Sequence, residues 1–221
     1  MEIRDSLFYF VFQSTFKMKD PKQDLAEIKN MMERSSRFLS LSGLAGVLAG
    51  IYALFGAGMV YYWLYFPKHP FGKEQFHNMD GVVLGNLILT AIVVLSLSIV
   101  TAWLLSKKKS KRISNQFLTP AGRRFIQSLF IPIITGGLFC FALLHQGFFS
   151  FIAASMLIFY GLGLFNASHF TLNDIKYLGF GQIMLGIIAA FFPGYGLILW
   201  ALGFGILHIL YGGVMYFKYD Q

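Results

Sequence analysis

Long apolar stretches alternate with short charged segments along the whole chain. Four stretches contain no Asp, Glu, Lys or Arg, and they hold 30, 26, 49 and 41 residues at positions 38–67, 81–106, 125–173 and 177–217. A membrane-spanning helix needs about 20 apolar residues. The first two stretches therefore predict one span each, and the last two predict two spans each.

Two turn signals divide the longer stretches. His145, Gln146 and Gly147 form a polar break in the third stretch, and Pro193–Gly194 interrupts the fourth. The resulting prediction is an all-α integral membrane protein with six transmembrane helices, paired as three helical hairpins. The predicted spans are about 40–65, 82–106, 125–144, 148–166, 175–192 and 195–217.

A charged segment leads directly into the first span. Residues 18–38 favour an amphipathic helix, because Asp20 and Gln23 have the spacing of a capping box and Pro21 suits the first helical position. We expect this helix to lie on the cytoplasmic membrane surface ahead of the transmembrane domain at 39–221. A docking site for a partner is the alternative reading of the same helix.

Residues 1–17 differ in character from the segment that follows them. Their apolar run, Leu7–Phe12, is too short for a span. Met18 lies two residues before the Asp20 cap, so we expect translation to start there and residues 1–17 to be dispensable or mis-annotated. If they are made, they form a mobile or membrane-adsorbed tail.

Charge is scarce and unevenly distributed. Only 13% of the residues are charged, about half the share in soluble domains, and mean hydropathy is +0.62. In the predicted threading, 16 of the 18 Lys and Arg residues share one side with both termini. The positive-inside rule then predicts cytoplasmic termini in a bacterial inner membrane. The basic cluster also predicts contact with anionic lipid headgroups through Lys107, Lys108, Lys109, Lys111 and Arg112. We expect no nucleic-acid partner.

Small residues mark one face of the first span. Ser42, Gly46 and Gly50 recur every four residues, a spacing that lets helix backbones approach closely. Packing within the chain and a homodimer face are both open at this point.

The third span contains a candidate helix break. Pro132, Thr135, Gly136 and Gly137 lie close together, and broken helices hold the substrate in many transporters. A small-molecule or lipid transporter with a site at this break is the alternative function.

One ionisable side chain falls deep within a span. Because Pro193 and Gly196 flank an antiparallel turn, His208 falls opposite Gly181, next to Gln182. We expect neutral His208 and Gln182 to hydrogen-bond across the hairpin. Such a pair either pins two spans or works as a ligand or proton site.

Catalytic patterns are weak in this sequence. Ser155 and His208 occupy the fourth and sixth spans, as in rhomboid proteases, but the serine lies in "AASML" instead of a G-x-S-G motif, and the two residues differ in depth. The histidines match no zinc motif and no haem pair. We therefore expect no catalytic residue, metal or cofactor.

Two segments, "ERSSRFLSLSGLAGVLAGIYAL" and "AAFFPGYGLILWALGFGILHILYG", resemble parts of small uncharacterised bacterial inner-membrane proteins. This resemblance implies six helices and no activity. The sequence as a whole favours a non-catalytic accessory, sensory or scaffolding component, with a homodimer or another membrane protein as its partner.

Overall fold

The computed structural model describes residues 41–65, 81–113 and 120–220. Within these ranges, six helices are long and apolar enough to cross a membrane, by length and composition. This confirms a multi-pass, all-helical architecture for this part of the chain. The tail 1–17, the amphipathic segment 18–38 and the loop 67–80 lie outside the described residues.

The helices follow the predicted spans closely. Helix α1 is Gly43–Leu64, α2 is Gly81–Ile113, α3 is Pro120–His145, α4 is Ile152–Ala167 and α5 is Asp174–Phe191. The sixth span consists of α6 (Gly196–Trp200), a π-helical segment (Ala201–Leu207) and α7 (His208–Tyr219). Short 3-10 turns at Phe149–Phe151, Ser168–Phe170 and Pro193–Tyr195 connect the later helices.

The structure differs most from the prediction at the end of α2, at the start of α3 (Pro120 against the predicted 125) and inside the sixth span. Helix α2 continues to Ile113, because the lysine-rich segment after Ser106 contains no helix-breaking residue. The sixth span is interrupted by its π-helical segment, which hydropathy cannot reveal. The predicted break between α3 and α4 is a turn at Gly147, whose φ of 76° suits glycine.

The sixth span is the central element of the packing. It contacts α1 along one side and both α4 and α5 along the other. Helix α3 packs on α4, α4 packs extensively on α5, and α2 packs on α1. Helices therefore also pack against helices outside their predicted hairpin, as α1 does against the sixth span.

Glycines bring several of these helices into backbone contact. A Cβ placed on Gly50 of α1 would lie 2.6 Å from the Gly205 carbonyl oxygen, and one on Gly46 would lie 3.2 Å from the Gly212 Cα. A Cβ on Gly161 of α4 would lie 2.7 Å from the Gly179 carbonyl oxygen of α5. Since distances below 3 Å are too short for a side chain, the Gly50 and Gly161 contacts require glycine, and the Gly46 contact leaves little room for a Cβ.

Ion pairs gather at one end of the bundle. Asp220 accepts hydrogen bonds from Ser42 Oγ at 3.1 Å and from the Gly43 backbone N–H at 2.8 Å, and it pairs with Lys109 Nζ at 2.5 Å. Asp174 pairs with Lys218 at 2.9 Å. We call this end, where α2 and α7 end and α1 and α5 begin, the basic end.

Candidate functional site

Polar side chains from three spans meet inside the bundle. Gln182 of α5 and His208, the first residue of α7, both reach the Gly203 carbonyl in the π-helical segment, and Tyr160 of α4 is hydrogen-bonded to His208. Gln182 is fully buried and His208 is 6% exposed. We call these four residues the polar cluster.

The Gly203 carbonyl is the centre of this cluster. It lies 2.8 Å from Gln182 Nε2 and 3.0 Å from His208 Nδ1. A carbonyl only accepts, so we assign the imidazole proton to Nδ1. The neutral ring then accepts at Nε2 from the Tyr160 hydroxyl, 2.8 Å away.

This geometry refines the predicted His208–Gln182 pair. The two side chains are adjacent, with Gln182 Nε2 3.3 Å from His208 Nδ1. In the assigned tautomer both nitrogens are donors, so both donate to the Gly203 carbonyl. A shared backbone acceptor, and not a direct hydrogen bond, joins α5 to α7.

The local backbone makes this arrangement possible. A π-helical turn changes the regular hydrogen-bond ladder, and such turns are frequent at functional sites. A Cβ on Gly203 would lie 2.5 Å from both Gln182 Oε1 and a Leu157 methyl group. Glycine at this position therefore lets the Gln182 amide lie directly against the π-helical backbone.

Aromatic rings surround the cluster. The Phe204 ring lies 5.0 Å from Tyr160, 5.9 Å from His208 and 5.0 Å from Trp200, measured between ring centroids. The Phe204 ring is nearly parallel to the imidazole, at an interplanar angle of 13°. Gln182 Oε1 has no hydrogen-bond partner among the described residues, so the cluster retains one unused acceptor.

Ser155 is not part of the polar cluster. Its hydroxyl donates to the Phe151 carbonyl of its own chain segment at 2.9 Å. No group of three or more His, Cys, Asp or Glu side chains that could hold a metal occurs in the described ranges. The cluster itself contributes a hydroxyl, an amide and an imidazole, which can donate, accept and hold a proton.

The structure shows no helix break at the candidate site in the third span. Helix α3 runs unbroken through Pro132, since a proline removes only one backbone donor and membrane helices accommodate this loss. Thr135 Oγ1 donates to the Ile131 carbonyl, one helical turn before it in the same helix. Gly136 packs against Phe159, whereas Gly137 has no described atom near its missing Cβ.

The small residues of the first span lie inside the chain's own packing. Gly46 and Gly50 contact the sixth span, so the structure uses this face within one copy. Ser42 has a different role from the one its spacing predicted. It precedes α1 and its hydroxyl binds Asp220.

The basic cluster divides into two sets. Lys107, Lys108 and Lys111 are exposed, as headgroup contact requires. Lys109 does not belong with the predicted headgroup contacts. Its side chain is only 13% exposed and is bound to Asp220 and to the Leu41 carbonyl oxygen. The Arg112 side chain lies outside the described part.

Sequence reasoning missed Tyr160 and Gly203. A tyrosine in the middle of a span was a usable signal, because a buried hydroxyl needs a partner. Gly203 gave no such signal, since its function depends on a backbone conformation. No protein-family model matches the chain, and no similar curated protein or solved structure was found.

Proposed function

We propose that this protein is a non-catalytic, multi-pass component of the bacterial inner membrane, acting as an accessory, sensory or scaffolding subunit. It works by contact with another membrane protein or with a second copy of itself. In this proposal the six spans form three hairpins, and the amphipathic segment 18–38 lies on the cytoplasmic surface.

The polar cluster is the observation that supports this proposal most directly. Its donors are directed at acceptors within the bundle, and His208 and Gln182 are almost entirely enclosed. These hydrogen bonds connect α4, α5 and the sixth span. A structural role for them is consistent with a protein that presents surfaces and holds no substrate.

Affinity capture tests this proposal. The protein, tagged at its N-terminus and made at chromosomal level, is recovered in a mild detergent together with its bound molecules. We expect a membrane protein, or a second copy, at a fixed ratio. We also expect a folded His208→Leu variant to retain that partner, because the cluster is structural.

The contrary result is equally specific. Recovery of a small molecule in place of a protein, lost on His208→Leu substitution at unchanged folding, would replace the proposed subunit with a carrier or ligand-binding protein. The polar cluster would then be its site, since α3 has no break to hold one.

The orientation is a separate part of the proposal. Lys109–Asp220 and Asp174–Lys218 bring the predicted cytoplasmic segments to one end, which supports a common side for them. In a Cys140→Ala background, we expect an impermeant maleimide to label Gln146→Cys in spheroplasts and Lys108→Cys only after lysis. The reverse pattern would contradict cytoplasmic termini.

A further inference from the structure

Helix α2 carries a continuous exposed face that changes from apolar to basic near its end. Val100, Trp103 and Leu104 are 53%, 50% and 52% exposed. Lys107 and Lys111 follow Trp103 at four-residue steps and are also exposed. Residues at this spacing lie on one side of a helix.

The length of α2 places these lysines beyond the apolar core of a bilayer. Its 33 residues extend for about 50 Å, whereas the hydrocarbon core is about 30 Å thick. The apolar positions of this face therefore suit acyl chains, and its basic positions suit the headgroup layer.

One contact joins the two halves of this face. Lys107 Nζ lies 4.7 Å from the centroid of the Trp103 ring. The ammonium is thus directed back along the helix toward the membrane core, as side chains in helices generally are. A lipid phosphate beside Trp103 would meet this ammonium without any rearrangement of the helix.

Lys109 provides an internal comparison on the same helix. It lies between Lys107 and Lys111 in sequence but on another side of α2, where Asp220 neutralises it. The two outward lysines have no carboxylate partner within the ion-pairing distance among the described residues. The basic segment therefore contains one structural lysine and a separate outward pair.

From this geometry we propose that Trp103, Lys107 and Lys111 form a binding site for an anionic phospholipid on the outward face of α2. The phosphate lies between the two ammonium groups and the indole ring, and the acyl chains follow Val100 and Leu104. The assignment rests on the proposed insertion in an inner membrane. The positive charges of the two lysines complement the negative charge of the lipid phosphate.

Brominated lipids test the site directly. In a Trp63→Phe/Trp200→Phe background, Trp103 is the only tryptophan, so fluorescence quenching reports lipid at α2. The purified full-length protein is titrated with brominated phosphatidylglycerol or brominated phosphatidylcholine in detergent. We expect the anionic lipid to be preferred and Lys107→Gln/Lys111→Gln to reduce that preference, by about fivefold for each lysine removed.

Two matched variants control for net charge and for folding. Arg123→Gln/Arg124→Gln removes two exposed charges at the start of α3 and should leave the preference unchanged. Lys109→Gln should lower the melting temperature because it breaks the pair with Asp220, and it should keep the lipid preference.

Three results would overturn the site. Equal quenching by both lipids would remove the preference, and an equal loss in the Arg123→Gln/Arg124→Gln variant would reduce it to a bulk charge effect. Inorganic phosphate that displaces the lipid at millimolar concentration would make the site one for soluble anions. Partner capture is unaffected by any of these, so the proposed function is tested separately.

Discussion

The two sides of the sixth span are held by different kinds of contact. On the α1 side, Gly46 and Gly50 bring the backbone of α1 close to the backbone at Gly212 and Gly205, and the Ile209 side chain packs beside Gly50. On the α4 and α5 side, Tyr160 and Gln182 reach the span through side-chain hydrogen bonds. The first contact depends on the absence of a side chain at Gly46 and Gly50, and the second depends on specific polar groups.

The difference shows which contact is more sensitive to substitution. A backbone contact has no free space and no rotamer that can yield, so added atoms must separate the helices. Hydrogen bonds between membrane helices average only about 0.6 kcal/mol, because the separated helices find other partners. We therefore expect the glycine contact to dominate stability and the polar cluster to fix geometry.

The largest effect is expected for Gly50→Leu. Its side chain would overlap the Gly205 carbonyl and Ile209, and the variant should lose about 3 kcal/mol of stability. Thermal unfolding in detergent measures this loss. Gly58→Leu is the matched control on the same helix, because no described atom lies within 4 Å of its Cβ position. Equal melting temperatures for Gly50→Leu and the native chain would place this face toward lipid.

A smaller effect is expected within the polar cluster. Gly203→Ala places a methyl group 2.5 Å from Gln182 Oε1 and Leu157, so we expect a loss of about 1–3 kcal/mol. Gly213→Ala in α7 is the control, since its Cβ would meet no described atom. Unfolding in increasing denaturant compares the two variants. If both unfold at the same point, the amide is not packed on the π-helical segment.

The α1 glycine contact and the polar cluster show what the sequence could predict. The four-residue spacing of Gly46 and Gly50 indicated a close helix contact, because that feature depends on local periodicity. The span that receives it could not be deduced, since the α1 contact joins the first and last spans of the domain. The six spans were predictable for the same local reason, since each depends on the length of an apolar run.

The polar cluster was predictable only in part. The antiparallel turn at Pro193–Gly196 correctly placed His208 beside Gln182. Tyr160 comes from a span outside that hairpin, and the Gly203 carbonyl became the shared acceptor through a π-helical turn with no sequence signature. Asp220 was also missed, because its contacts with Ser42 and Lys109 depend on the tertiary arrangement of three helices.

The basic end extends the α1 contact with charged groups. Asp220 lies at the N-terminus of α1, where the helix dipole favours a negative charge. Asp220→Asn should lose about 1 kcal/mol, and the loss should shrink in high salt because screening weakens the native pair with Lys109. Lys218→Gln, which breaks a more exposed pair, should change the melting temperature less. A larger change in melting temperature for Lys218→Gln than for Asp220→Asn would show that Asp220 is not the main stabilising residue of the basic end.

A double-mutant cycle on His208 and Tyr160 tests most directly whether the polar cluster fastens the bundle. Reversible unfolding is measured for the native chain, His208→Leu, Tyr160→Phe and the double variant, with partner capture on each folded protein. We predict a coupling of about 0.6 kcal/mol and retained partner binding in all four proteins. If the stability effects are additive and the single variants lose the partner, the polar cluster is not structural and His208 has a direct function.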